Sequence, residues 1–137
     1  LGVARGGAPC RVSSTGALER SLLATGFPPQ RSDGDYRQFA RLDAATHGVR
    51  RCAAAALELS LVADGAYDGF WDAGLAPWDL AAGVLFVLEA GGRVSDATGG
   101  PLSLSSRTVV ASNGAIHSAL INALAHAGAL PASFEVT

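Results

Sequence analysis

Charge is scarce in this sequence. Of its 137 residues, 16% are Asp, Glu, Lys or Arg, where about a quarter is usual for a soluble globular chain. With 49% hydrophobic residues there is ample apolar surface to bury, which excludes an expanded, disordered polymer. The length suits one domain with a real core, and the low charge hints at a face covered by further sequence or a partner subunit. A basic footprint is also missing. Ten Lys and Arg stand against 12 Asp and Glu, for a net charge of -2. Arginines gather only modestly, at Arg37, Arg41, Arg50 and Arg51, without an arginine-rich tract or an aromatic ladder. That argues against a nucleic-acid partner but leaves room for a single small-anion site.

Long apolar runs are absent too. The strongest, residues 80–88, is interrupted by Gly83 and reads as a buried helix, far short of a bilayer span. The chain opens without the basic, apolar and cleavage regions of a secretory leader. Cys10 and Cys52 have no CxxC spacing, so neither a disulfide framework nor a zinc site is expected, and a reduced, cytoplasmic setting is the default.

What is present alternates between strand and helix signals. Residues 1–9 are glycine-rich and irregular, and residues 11–14 read as a short extended piece. A strand is expected over 21–25, stopped by Gly26-Phe27-Pro28-Pro29. Spacings near three and four among Tyr36, Phe39, Ala40, Ala44 and His47 predict a helix over 36–47, ended by Gly48. A second helix is expected over 51–63, striped by Ala55, Leu59 and Val62, then a strand over 67–71. The third helix is placed over 79–90, with its apolar run 84–88 buried between layers. Strands over 93–96 and 108–111 and a helix over 116–127 complete an α/β layered fold.

The segment Trp71-Asp72-Ala73-Gly74-Leu75-Ala76-Pro77-Trp78-Asp79 carries the chemistry. It sets two carboxylates on either side of a turn, with Asp79 at the mouth of a helix. There the unpaired amides and the helix dipole favour a negative charge. Such an aspartate can hold a hard cation while the helix start faces an anion, or it can simply cap the helix. Asp72 has the parallel alternative of a surface acid ending a strand. Trp78 is expected to pack beside the site. His47, His117 and His126 are dispersed, and each reads as a helix-face or capping residue. Ser112-Asn113-Gly114 reads as a turn before the last helix, and Cys52 as a buried structural thiol.

The stretch Pro77-Trp78-Asp79-Leu80-Ala81-Ala82-Gly83, followed by Glu89-Ala90-Gly91-Gly92, resembles the C-terminal signature of the inositol monophosphatase family. Ala24-Thr25-Gly26-Phe27-Pro28, the Arg50-to-Gly65 region, Tyr67-Asp68-Gly69-Phe70-Trp71 and Val110-Ala111-Ser112-Asn113-Gly114 resemble the same family in the same order. The likeness implies the C-terminal subdomain of an αβαβα phosphomonoesterase. In such a protein Asp79 is a catalytic, metal-binding ligand for Mg, Asp72 contacts substrate hydroxyls, and residues 53–55 face the substrate. Where the family commonly has glycine followed by serine or threonine, this sequence has Ala53 and Ala54, then Ala55. That departure bears on the substrate more than on the fold. Arg50 reads as an anion contact or, more simply, an ion-pair residue.

The family's upstream ligands come from a glutamate and a DPxDGT-type segment. The sequence contains no Asp-Gly-Thr, and its glutamates are Glu19, Glu58, Glu89 and Glu135. The resemblance therefore implies that 1–137 is the C-terminal portion of a larger domain. Residues 1–10 would be irregular or truncated, the N-terminal metal-binding portion absent, and the stretch inactive alone. The complete protein is expected to be a homodimer that hydrolyses a small phosphate monoester, with inositol monophosphate the first choice. Histidinol phosphate or a sugar phosphate is the alternative, and a non-catalytic structural or regulatory homologue is the reading from a different class. Neither nucleic acid nor membrane is expected as a partner.

Overall fold

The computed structural model describes residues 2–27 and 32–126. A small hairpin, β1 (Ala4–Arg5) with β2 (Ala8–Pro9), precedes a five-stranded sheet. The sheet contains β3 (Leu22–Thr25), β4 (Gly48–Arg50), β5 (Gly69–Ala73), β6 (Arg93–Ser95) and β7 (Thr108–Ser112), in the order β4-β3-β5-β7-β6. Strands β4, β3 and β5 run parallel, whereas β7 is antiparallel to both β5 and β6. The helices are α1 (Asp33–Ala45), α2 (Ala55–Ala63), α3 (Pro77–Glu89) and α4 (His117–Ala125). The predicted Gly128 stop and the end of the predicted last helix lie outside the described residues.

Strand periodicity divides the core into two layers, because successive side chains point to opposite faces. Ala24, Phe70, Val109 and Ala111 pack with Leu59, Val62, Leu80 and Val87 of α2 and α3. Leu23, Trp71 and Val110 pack with Leu42 of α1 and Ile116, Leu120 and Leu124 of the α4 region. The outcome is an α/β/α arrangement in which both faces of the short parallel strands are covered, as parallel sheets require.

Three sequence expectations are corrected. Residues 51–54 are not helical. Gly48–Arg50 is an edge strand, and α2 starts only at Ala55, because Ala53 adopts φ +56°, a left-handed conformation that no helix accommodates. Helix α3 is not buried on all sides. It turns Leu80, Gly83 and Val87 inward and leaves Leu85, Phe86 and Leu88 exposed, the ordinary stripe of a helix packed on one side of a sheet. Residues 11–14 join no ladder; Val12 N–H donates to the Ala90 carbonyl at 3.1 Å instead.

Gly83, inside the apolar run of α3, lets that helix lie directly on α2. A Cβ there would stand 2.6 Å from the Cβ of Leu59, closer than side chains pack. Gly83→Ala is therefore expected to destabilise the fold by about 1–3 kcal/mol, read as a lower denaturant midpoint. An unchanged midpoint would show that the two helices have room to separate.

Candidate active site

Every parallel strand delivers its C-terminal end to the same edge of the molecule, which is where α/β sheets place ligands. Strand β3 ends at Thr25-Gly26, β4 leads into residues 51–54 and the start of α2, and β5 ends at Asp72-Ala73 before the start of α3. A cleft of about 270 Å³ opens there, lined among others by Gly26, Arg51, Ala53, Glu58, Asp72 and Asp79. Ala54 and Ala55 line it as well. Residues nominated from two separated stretches of sequence, 53–55 and the segment with Asp72 and Asp79, thus share one cavity, beside the N-termini of two helices. Each helix start carries a partial positive charge; the α3 start offers few free amides, because Pro77 has no N–H and the Asp79 N–H is bonded to the Ala76 carbonyl.

Asp79 is not the N-cap. It is the third residue of α3, behind Pro77 at the first position. Its carboxylate reaches back to accept the Ala76 N–H at 3.1 Å. The cap itself is Ala76, whose side chain makes no capping bond, so Asp79 closes the helix start from inside. Trp78 does not pack beside the site as expected. It is 82% exposed, because the second helical position at this start points away from the sheet.

Asp72 is buried at 8% exposure and accepts the N–H of Ala73 at 2.7 Å. Burial pushes its pKa up to about 6; the nearby Asp35 and Asp79 add to the rise, while the Ala73 amide and Arg51 oppose it. An added Cβ at Gly26 would run into this carboxylate, which explains a glycine directly after β3. The reading of Asp72 as a surface acid is thereby replaced by that of a buried acid in the cleft wall. Arg51 holds its guanidinium 4.8 Å from the Phe27 ring centroid, a cation–π distance. Phe27 in turn meets Tyr36 and Phe39 of α1 at 5.3 and 5.8 Å. Arg50, by contrast, is an exposed strand residue that does not line the cleft.

Glu58 went unnoticed in the sequence as a site residue. It is fully buried. One oxygen accepts the Cys52 N–H at 2.8 Å, and the other has no hydrogen-bond partner. Burial raises its pKa, the Cys52 and Ala54 amides oppose that rise, and Asp72 adds to it. A glutamate on the inner face of an apolar helix is itself the available signal, since acids are almost never fully buried without a partner or a task. Cys52 is exposed and its sulfur lies 3.6 Å from the Tyr67 hydroxyl, so it is not the buried thiol expected.

The histidines have no part in the cleft. His117 is fully buried with both ring nitrogens held at 2.8 Å by the hydroxyls of Ser95 and Ser112. His126 lies one residue past α4, with its Nδ1 2.7 Å from the Asn122 carbonyl oxygen. His47 follows α1 and donates its backbone N–H to Ser21.

A magnesium ion takes about six oxygen ligands. Among the described residues no group of three or more His, Cys, Asp or Glu side chains is placed to hold a metal ion. Asp79 and Asp72 can belong to such a shell but do not form one, and the described residues alone do not fit a complete metal centre.

A sequence model of the inositol monophosphatase family matches residues 1–129. The chain belongs to the inositol monophosphatase family. It is 46% identical over 128 residues to the inositol-1-monophosphatase of Synechocystis, covering 91% of this chain and 45% of that protein. It is 44% identical to the Nus factor SuhB of Pseudomonas aeruginosa, with 90% and 47% covered. Its fold superposes on the inositol monophosphatase of Anabaena with a TM-score of 0.89 and 42% identity, over 97% of this chain and 53% of that one. The αβαβα layering expected from the sequence agrees with these structures, of which this chain carries one α/β/α portion. The chain spans about half the length of the relatives it matches. Among its described residues no helix is long and apolar enough to cross a membrane.

Proposed function

We propose that the whole protein to which this sequence belongs hydrolyses a small phosphate monoester with magnesium, and that inositol monophosphate is its first substrate. One observation supports this above the others: a single cleft brings together two helix N-termini and the carboxylates of Asp72 and Asp79. Helix starts attract a phosphate, but acids that outnumber the single arginine of the cleft repel one unless a cation stands between them. In the whole protein magnesium would supply that charge, Lewis acidity and an activated water. The roles of this chain's own residues follow from their positions. Asp79 offers a carboxylate at the start of α3, the amides at the start of α2 face the anion, and Asp72 accepts from substrate hydroxyls or a bridging water. Residues 53–55 form the wall against which the substrate rests.

A phosphate-release panel run with and without a chelator tests the reading. Activity is expected with magnesium and is expected to fall to background, a loss of about 100-fold or more, once the metal is removed. Undiminished turnover without metal would reject the mechanism. Sugar phosphates and histidinol phosphate belong in the panel because Ala54 brings no hydroxyl to the wall. Two free thiols, Cys10 and Cys52, suit a reducing compartment such as the cytoplasm. A homodimeric complete protein belongs to the same reading, and exposed Leu85 and Leu88 offer apolar surface for contact.

A further inference from the structure

We propose that Glu58 is a positioning residue that holds the turn over residues 52–54, and with it the substrate-facing wall of the cleft, in a conformation that the turn would otherwise abandon. The proposal rests on the phosphatase reading for its functional half and on geometry for its structural half. Helix α2 starts without any side-chain cap, since Ala54 occupies the cap position. The residue before it, Ala53, sits at φ +56°, a region L-residues adopt only when their surroundings over-determine it. The bond from Cys52 N–H to Glu58, at 2.8 Å, is the constraint that does so. It runs from the fourth residue of α2 back past Ala53 and Ala54, so both residues are closed inside one ring of hydrogen bonds. The Glu58 N–H bonds the Ala54 carbonyl at 2.9 Å and completes that ring.

The second oxygen of Glu58 is buried without a partner. A carboxylate would leave an acceptor unsatisfied there, an arrangement a fold does not keep without a return. Only one oxygen is needed as an acceptor, so glutamine can replace glutamate while leucine cannot. This separates anchoring from a direct role of the charge. The turn lines the cleft together with Asp72 and Asp79, so a loosened turn weakens substrate binding while the carboxylates keep their places.

The test uses the whole protein in three forms: wild type, Glu58→Gln and Glu58→Leu. Hydrogen exchange at the Cys52 amide is expected to stay slow in Glu58→Gln and to quicken roughly tenfold or more in Glu58→Leu. In phosphate release, Glu58→Leu is expected to raise KM roughly tenfold with kcat within about threefold, the pattern of lost uniform binding. Unchanged exchange in Glu58→Leu overturns the anchor, and faster exchange with unchanged KM overturns the positioning role. If Glu58→Leu does not fold, Glu58→Gln still decides: a protected amide with a tenfold higher KM would mean that the charge, and not the acceptor, matters. A wild-type protein that releases no phosphate sinks the phosphatase reading alone, and the exchange result continues to judge the anchor.

Discussion

Asp79→Asn is expected to lower phosphate release by the whole protein about 100-fold or more while leaving the fold intact. Asparagine keeps an oxygen able to accept the Ala76 N–H, so the helix start that Asp79 closes at 3.1 Å survives the change. What it removes is the negative charge a hard cation needs. Melting temperature and magnesium affinity, measured beside turnover, separate the two roles. A stable variant with weakened metal binding and lost turnover is the expected result. Unchanged turnover would reduce Asp79 to a residue that merely starts α3.

The second large effect is a pair of opposing pH dependences. His117 is buried between two serine hydroxyls, and burial, with Arg93 adding to it, lowers its pKa to about 4 from an ordinary 6.5. The unfolded chain therefore takes up this proton before the folded one does. Stability from the neutral ring is complete above pH 6.5 and is lost as pH falls towards 4, by up to about 3 kcal/mol. Asp72 works in the other direction. Its folded pKa of about 6 lies above the ordinary 3.8, so its contribution is complete below pH 3.8 and is lost as pH rises through 6, again by up to about 3 kcal/mol. In metal-free buffer the two nearly cancel between pH 4 and 6. Asp72→Asn should remove one arm, raising the denaturant midpoint at pH 8 and exposing a steep acid loss that the wild type lacks. Parallel pH profiles for the two proteins would refute the account.

Much of this architecture could be read from residue patterns. Alternation in the strands and the spacing of Ala55, Leu59 and Val62 located most elements, because burial on one face writes itself into period and composition. Helix starts were harder. Helix α1 begins at Asp33, three residues before its first apolar position, because Ser32 and Asp35 form a reciprocal capping box that hydrophobic periodicity does not register. Helix α2 begins late because a left-handed alanine carries no signal in a run of alanines. For the cleft, Asp72, Asp79 and residues 53–55 were nominated by family likeness, and their meeting around one cavity depends on strand order, which no local pattern states. Glu58 and Asp68 escaped notice for one reason. A buried acid is spelled like an exposed one, and only the tertiary partners distinguish them.

Asp68, immediately before β5, binds the Leu22 N–H at 2.7 Å with one carboxylate oxygen and the Ser13 hydroxyl with the other. Its backbone N–H donates to Leu22, its carbonyl accepts from Asn113, and the Asn113 amide reaches Ser13 and Thr15. All of these bonds lie at the end of the sheet opposite Asp72. Strand β5 thus runs from a tightly bonded end to an end made of turns, and resistance to local opening should decline along its length. Stiffness is thus gathered at the end of the sheet away from the cleft, and compliance at the end where Asp72 and Asp79 line it.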